Sequence, residues 1–265
     1  MGISIYIADM RRLPLAEQYE HILACLPEED RVKSQRFIRQ EDRIRSAVGA
    51  LLIRRGVEAE LAKRGLLNPQ LDEFLHSDHH SLDDSMRMYN IVKNEYGKPY
   101  VEEYPDIHFS LSHSGEMIVY AKSDKSLGID VEKICDIDIT EFESYLTKID
   151  KRLLESSIDT DNFEVSLSVK KRQITSTALS KKLVQFYRIW TIREAFAKKV
   201  GIGLSVFDND DVNIDYDNER IIFHGKELMY RTFLADDHII SLCADSISNG
   251  LKPHFITRKE WNDYY

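Results

Sequence analysis

The chain has 265 residues, of which 43% are hydrophobic and 31% charged, and its formal net charge at pH 7 is −9. It is long enough to bury a core without disulfides or structural zinc, and its three cysteines form no C-x-x-C pair. The acidic charge argues against general nucleic-acid binding, and no apolar run approaches the roughly 18 residues that span a membrane. We therefore expect a cytoplasmic protein with reduced cysteines.

The first half of the chain predicts a strand, a long helix and a polar loop. A strand is predicted at residues 3–8, and a helix at 42–64, where apolar residues recur every three or four positions. Gly65 follows in the position where glycine ends helices. Residues 76–88 are polar and lack either period, which predicts a solvated loop despite its histidines.

From residue 107 the pattern changes to short apolar runs. The runs at 107–111, 117–122 and 127–132 predict three adjacent strands of an antiparallel sheet. Thr140 and Glu143 match the capping-box pattern, which predicts that a helix begins there.

The remaining residues predict a second long helix and a group of strands. The helix covers 183–200 and is followed by Gly201, after a polar, Ser/Thr-rich loop at 156–181. Four later runs predict an antiparallel meander, at 212–216, 220–224, 228–235 and 238–244. This order of elements predicts an α+β protein made of two similar halves, 1–125 and 126–265.

Two acids lie close together in the segment GIDVE at 128–132. Because side chains alternate along a strand, Asp130 and Glu132 point the same way, roughly 6.6 Å apart along the strand. Two carboxylates on one face repel unless a cation or a proton lies between them, and Mg²⁺ is a suitable cation. The alternative is an exposed strand face with two solvated acids.

A second segment, at 190–205, places Glu194 and Lys198 four residues apart on one face of the predicted helix. They form either a surface ion pair or a carboxylate beside a cation that binds phosphate. A third segment, FSLSHSG at 109–115, contains Ser112 and His113. It lacks the strand-to-helix G-x-S-x-G turn of a serine hydrolase, so hydrogen-bond donors for a phosphate are the better interpretation.

Taken in order, these segments resemble the surfactin-type 4′-phosphopantetheinyl transferases. That family has G-K-P, then F-N-x-S-H-S-G, then G-I-D-x-E, then W-[ST]-x-K-E-A-x-x-K with G-x-G-L-S. This chain has GKP at 97–99, FSLSHSG at 109–115, GIDVE at 128–132 and WTIREAFAKKVGIGLS at 190–205. Residues 26–46 resemble the family's N-terminal helical region, so the resemblance covers most of residues 1–245.

The resemblance implies two similar α+β halves, with coenzyme A and Mg²⁺ in a cleft between them. It matches Asp130, Glu132 and Glu194 to metal ligands, and it matches Lys198 to the cation that assists the departing phosphate. It also matches six residues to coenzyme A contacts, which include the adenosine and 3′-phosphate pocket: Lys33, Arg45, Ser46, Lys98, Ser112 and His113. The chain departs from the family at Asp30, where a basic residue is frequent, and at Arg193, where lysine is common.

The implied reaction is attack by a serine hydroxyl of an apo acyl or peptidyl carrier protein on the β-phosphorus of coenzyme A. Adenosine 3′,5′-bisphosphate leaves, and Glu194 is the expected base. Two alternatives remain: a metal-dependent phosphohydrolase that uses the same carboxylates with water as nucleophile, and a carrier-protein binder without turnover. We expect a monomer, because two halves of one chain are sufficient to close one site.

Residues 165–193 contain seven lysines and arginines and no acid, although the whole chain is acidic. One interpretation is a solvated loop. The other is that this basic stretch attracts the acidic face of a carrier protein.

Overall fold

The computed structural model of the chain describes residues 2–66, 89–156, 181–204, 207 and 212–264. Its helices are α1 (Tyr19–Ala24), α2 (Glu28–Gln35), α3 (Gln40–Lys63), α4 (Lys148–Ser156), α5 (Lys181–Val200) and α6 (Arg258–Asn262). Its strands are β1 (Ser4–Asp9), β2 (Ile91–Lys93), β3 (Pro99–Val101), β4 (His108–Ser114), β5 (Met117–Ser123), β6 (Leu127–Lys133), β7 (Val212–Asp215), β8 (Arg220–Phe223), β9 (Lys226–Ala235), β10 (His238–Ala244) and β11 (His254–Phe255). The predicted loop at 76–88, and nearly all of that at 156–181, lie outside the described residues.

The chain divides into two compact units. Unit 1 contains Met1–Leu127 and Pro253–Tyr265, and unit 2 contains Gly128–Lys252. Each contains a sheet and one long helix, which confirms the predicted α+β class with two similar halves. The prediction had assigned residues 253–265 to the second half, whereas here they pack in unit 1, because β11 pairs with β1 and Trp261 is buried in the core of that unit.

Unit 1 is built on a sheet with the order β11-β1-β5-β4, and α3 packs against β5 and β4. The apolar residues that predicted this helix, among them Val48, Leu51 and Leu52, are at most 1% exposed. Burying each such side chain stabilises the fold by about 1.5–3 kcal/mol. After α3, Gly65 has a φ of 67°, the left-handed conformation expected at a helix end.

Unit 2 is built on a sheet with the order β6-β10-β9-β8-β7, so the predicted meander of the last four strands is confirmed. The helix α5 lies across β10 and β9 and buries Ile192, Ala195 and Phe196. The Thr191 hydroxyl forms a buried hydrogen bond of 2.8 Å with the Ser241 hydroxyl of β10. These contacts fix the helix that carries Glu194.

Two local predictions were wrong. The run at 127–132 does form a strand, but β6 pairs with β10 in the sheet of unit 2 and is no neighbour of β5. The helix predicted at Thr140 is a short 3-10 helix, Ile139–Tyr145, and its cap is Asp138, whose carboxylate accepts from the Thr140 amide. The chain then becomes extended at Leu146 before α4 begins.

Candidate active site

The glycine of GIDVE allows β6 to lie directly against α5. A Cβ atom on Gly128 would be 2.0 Å from the carbonyl oxygen of Ala195 and 2.4 Å from the amide nitrogen of Lys199. Both are backbone atoms and cannot move aside, so only glycine fits at this position. The close approach brings the acids of β6 beside the charged residues of α5.

Asp130 is the most buried carboxylate of this group. Its side chain is 4% exposed, and its Oδ1 accepts a hydrogen bond of 2.7 Å from Lys198 Nζ. Burial raises the pKa of Glu194, the negative charge of Asp130 raises it further, and the Lys198 ammonium offsets part of the rise. The structure therefore brings Asp130, Glu194 and Lys198 together within unit 2.

Glu132 lies two residues beyond Asp130 on β6 and is half-buried. Among the residues that the structure describes, no three His, Cys, Asp or Glu side chains form a ready metal cluster. The predicted ligands Asp130, Glu132 and Glu194 are thus not preassembled as a three-carboxylate cage. A divalent ion that takes one or two carboxylates together with water and substrate oxygens does not need one.

A buried ion pair that the sequence did not predict joins α5 to α4. Arg193 Nη1 donates to Asp150 Oδ2 of α4 at 2.8 Å, and both side chains are at most 6% exposed. Tyr216 donates its hydroxyl to the other oxygen of Asp150, and the Arg193 guanidinium lies 3.8 Å from the ring centre of Phe207. Burial and the Asp150 charge raise the pKa of Tyr216 well above its usual range. No periodicity links residues 43 positions apart, so the sequence alone gave little signal for this pair.

In unit 1, the SHSG segment forms the end of β4 and the turn into β5. Ser112 is buried opposite Val119, whereas His113 is exposed. Arg45 of α3 donates to the Gly115 carbonyl at this turn and also binds Asp42. The structure thus brings Arg45 to the same turn as the serine–histidine pair.

The other predicted coenzyme A residues of unit 1 are spread over several elements. Lys98 Nζ donates to the Ser126 hydroxyl at 3.3 Å, Lys33 is exposed on α2, and Ser46 is half-buried on α3. Asp30, which replaces a frequent basic residue of the family pattern, accepts from the buried Arg54 at 2.6 Å. Asp30 therefore anchors α2 to α3, which is a structural reason for an acid at this position.

The basic stretch is only partly within the described residues, which begin again at Lys181. Lys181 and Lys182 are exposed at the start of α5, and Arg188 is half-buried. Arg193 is buried in its ion pair with Asp150, so it is not available at the surface. The part of the stretch available to an acidic partner is therefore smaller than the sequence suggested.

Comparison with known proteins identifies relatives along most of the chain. A family model described as the 4′-phosphopantetheinyl transferase superfamily matches residues 126–243. A 4′-phosphopantetheinyl transferase of Bacillus subtilis is 30% identical over 250 residues, which cover 91% of this chain and 92% of that protein. The 4′-phosphopantetheinyl transferase Sfp of Bacillus subtilis strain 168 is 28% identical, over 82% of this chain and 79% of its own length.

A human relative is more distant: the L-aminoadipate-semialdehyde dehydrogenase-phosphopantetheinyl transferase is 23% identical over 72% of this chain and 60% of its own length. The relatives give no support to the phosphohydrolase alternative. The family match includes all of β6 and α5, and hence Asp130, Glu194 and Lys198. The chain belongs to the surfactin-type 4′-phosphopantetheinyl transferases and is an enzyme that transfers the phosphopantetheine group.

Proposed function

We propose that the chain transfers 4′-phosphopantetheine from coenzyme A to a serine of an apo acyl or peptidyl carrier protein, with Mg²⁺ bound by the carboxylates of unit 2. The observation that carries this proposal is the juxtaposition of Asp130 with Lys198 and Glu194. Phosphoryl transfer depends mainly on positioning and on compensating charge, and this group contains both signs of charge in one place.

The donor set suits Mg²⁺. All three proposed ligands, Asp130, Glu132 and Glu194, offer carboxylate oxygens, and Mg²⁺ prefers hard oxygen donors that include one or two carboxylates. The pKa of Glu194 is raised first by burial and then by the negative charge of Asp130, and a bound cation would favour the ionised carboxylate. When bound, Mg²⁺ would neutralise charge on the pyrophosphate oxygens of coenzyme A.

Glu194 is the proposed general base. In the metal-free protein the pKa of Glu194 is raised, chiefly by burial, so its carboxylate accepts a proton more readily than an ordinary glutamate does. As the serine oxygen bonds to the β-phosphorus, Glu194 takes the serine proton. The bond between that phosphorus and the bridging oxygen breaks, and adenosine 3′,5′-bisphosphate leaves with the electron pair.

Lys198 is proposed to stabilise the departing phosphate. Its ammonium has three N–H donors, so it can keep its contact with Asp130 and still donate to a phosphate oxygen. Its side chain is 31% exposed, which leaves it within reach of a ligand from solvent. Asp130 then has a second role, since it orients the lysine.

The residues of unit 1 are proposed to hold the coenzyme A donor. Arg45 and His113 offer donors at one turn, and Ser112 adds a buried hydroxyl. Lys98 and Lys33 would bind phosphate oxygens as point charges, and Ser46 the adenosine portion. Asp30 stands where the family frequently has a basic residue, so this set has one cation fewer, and we therefore expect a pocket for the 3′-phosphate that depends strongly on the remaining cations.

Location and assembly are also part of the proposal. None of the three cysteines forms a disulfide, which agrees with a reducing cytoplasm. Among the described residues, no helix is both long and apolar enough to cross a membrane. We propose a monomer, since one chain supplies every residue assigned above.

The experiment is to incubate the enzyme with coenzyme A, Mg²⁺ and a set of purified apo carrier proteins, and to follow the intact mass of each carrier. The expected result is a gain equal to one phosphopantetheine group on a single serine, together with release of adenosine 3′,5′-bisphosphate. Release of free phosphopantetheine without any change in carrier mass would instead indicate hydrolysis. Replacing the carrier's acceptor serine with alanine is the matched control.

A further inference from the structure

Unit 1 contains a cavity that takes no part in the proposed transfer. Its volume is about 410 Å³, within the range typical of small-molecule sites. It lies between α3, the strands β1, β5 and β11, and the C-terminal segment around α6. None of the residues assigned to metal, coenzyme A or catalysis lines it.

Aromatic rings form much of its wall. The rings of Tyr6 and Tyr120 are stacked with their centres 6.3 Å apart and their planes inclined by 29°. Tyr264 also lines the cavity and stacks in turn on the buried Trp261 at 5.7 Å. Leu52 and Ala59 add apolar lining from α3. Such walls suit a flat aromatic ring, which stacks on tyrosine with favourable geometry.

Two polar groups in the cavity are left for a ligand. Lys122 Nζ lies 6.0 Å from the ring centre of Tyr6, and within the described part of the chain it forms no ion pair. Burial lowers the pKa of Lys122, the nearby Lys63 lowers it further, and Glu60 only partly compensates. Tyr120 is 3% exposed, and its hydroxyl has no hydrogen-bond partner among the described residues. The ammonium therefore lacks the anion that would stabilise it.

The other charged groups of the lining are already engaged or lie at the surface. Arg55 donates to the Tyr264 carbonyl and to Glu58, and Glu260 accepts from His254 at 2.9 Å. Asp263 is exposed. Lys122 is thus the cation that a ligand carboxylate would meet inside the cavity.

We propose that this cavity binds a small aromatic carboxylate, with its ring packed against the tyrosine rings that line the cavity and its carboxylate on Lys122 and the Tyr120 hydroxyl. The glycine at Gly56 supports this arrangement, because a Cβ atom there would lie 2.0 Å from the Tyr120 hydroxyl oxygen. Glycine on α3 keeps that hydroxyl in place beside the cavity.

The test uses 2-naphthoate as the probe and titrates it into the full-length enzyme by calorimetry. A second readout is Trp261 fluorescence in a Trp190→Phe background, which leaves one tryptophan, beside the cavity. We expect saturable binding with one site per chain. Lys122→Gln should weaken it about tenfold or more, as expected for loss of a charge-assisted contact. The control is Lys125→Gln, an exposed lysine that does not line the cavity.

The neutral amide 2-naphthamide keeps the ring and lacks the negative charge, so it shows how much of the affinity comes from each. The wild type should bind 2-naphthamide at least tenfold more weakly than it binds 2-naphthoate. The affinity for 2-naphthamide should be the same in the wild type and in Lys122→Gln. The proposal is overturned by absence of saturable 2-naphthoate binding to the wild type, or by equal affinities of the wild type and Lys122→Gln. An unchanged melting temperature shows that Lys122→Gln is folded, without reference to the proposed transfer. Carrier modification at the wild-type rate is expected as well, because Lys122 takes no part in that transfer.

Discussion

Lys198 and Asp130 are 68 positions apart in the sequence, yet the lysine Nζ lies 2.7 Å from the aspartate Oδ1. The sequence left two interpretations of Lys198 open, an ion pair with Glu194 on one helix face or a cation for phosphate, and the structure gives Lys198 a partner on the neighbouring strand. The aspartate is buried and the lysine partly exposed, so the pair links the interior of unit 2 to its surface.

We predict that Asp130→Asn reduces carrier modification by orders of magnitude and lowers the pKa of Glu194. The second effect follows because the Asp130 charge is one cause of the raised pKa. Loss of the hydrogen-bonded charge should lower the free energy of unfolding by about 1–3 kcal/mol. Carbon-detected NMR titration of the glutamates and denaturant unfolding measure these changes. The control is Asp136→Asn, at an exposed aspartate close to the end of β6. An unchanged Glu194 pKa in Asp130→Asn would refute the coupling.

We predict that Lys198→Gln lowers turnover by about 10²–10³-fold, the usual cost of removing one preorganised charge from a reacting centre. An exposed ion pair that only stabilised the helix would contribute about 0.3–0.5 kcal/mol and leave the kinetics unchanged. Single-turnover rates at saturating coenzyme A distinguish the two. Lys151→Gln, at an exposed lysine of α4, serves as the comparison. Equal rates for Lys198→Gln and wild type would assign Lys198 a structural role only.

The raised pKa of Glu194 predicts a specific dependence of stability on pH in the absence of divalent ions. Because its folded pKa lies above the ordinary value of 4.5, the folded protein binds this proton more tightly than the unfolded chain. The resulting stability is complete below about pH 4.5 and is lost as pH rises through the raised pKa. Glu194→Gln removes this loss, so the variant should gain stability relative to the wild type as pH rises. Urea unfolding in chelator across this range measures the difference, and a difference that stays constant with pH would contradict the prediction.

Removing one partner of the buried pair of Arg193 and Asp150 should strongly destabilise unit 2. Arg193→Met leaves the Asp150 carboxylate buried without its cation, which typically costs about 3–5 kcal/mol. Arg193→Lys, which restores the residue common in the family, should cost less because the charge is kept. The double change Arg193→Met with Asp150→Leu should recover part of the loss in denaturant unfolding. Costs that simply add would show that the two side chains are not coupled.

We predict that reversing the charge of Lys181 and Lys182 raises the KM for the carrier protein and flattens its dependence on salt. Both lysines are exposed, and steering by exposed charges weakens as ionic strength increases. The KM for coenzyme A should not change, since neither lysine belongs to the proposed coenzyme A residues. If the charge-reversed variant has the same carrier KM and the same salt dependence as the wild type, these lysines have no docking role.

Periodicity and motif order were sufficient to predict the α+β class, both long helices and the C-terminal meander. They failed where distant residues decide the structure. The strand at 127–132 joined the sheet of unit 2 because its glycine packs on α5, a contact that depends on residues about 70 positions away. The Arg193–Asp150 pair was missed for the same reason, because its partners share neither a helix face nor a strand. GIDVE itself carried one signal, since a glycine inside a strand often marks close approach of another backbone.

Asp130, Glu132 and Glu194 are proposed to hold the Mg²⁺ used in transfer, and the rate of carrier modification as a function of Mg²⁺ concentration tests this assignment. We expect saturation for the wild type, no reaction after exhaustive chelation, and recovery when Mg²⁺ is returned. We also expect that Asp130→Asn and Glu132→Gln require far more Mg²⁺ or remain inactive, while Asp136→Asn follows the wild type. Full activity of the wild type in chelator, or the same half-saturating Mg²⁺ for the wild type and both variants, would contradict it.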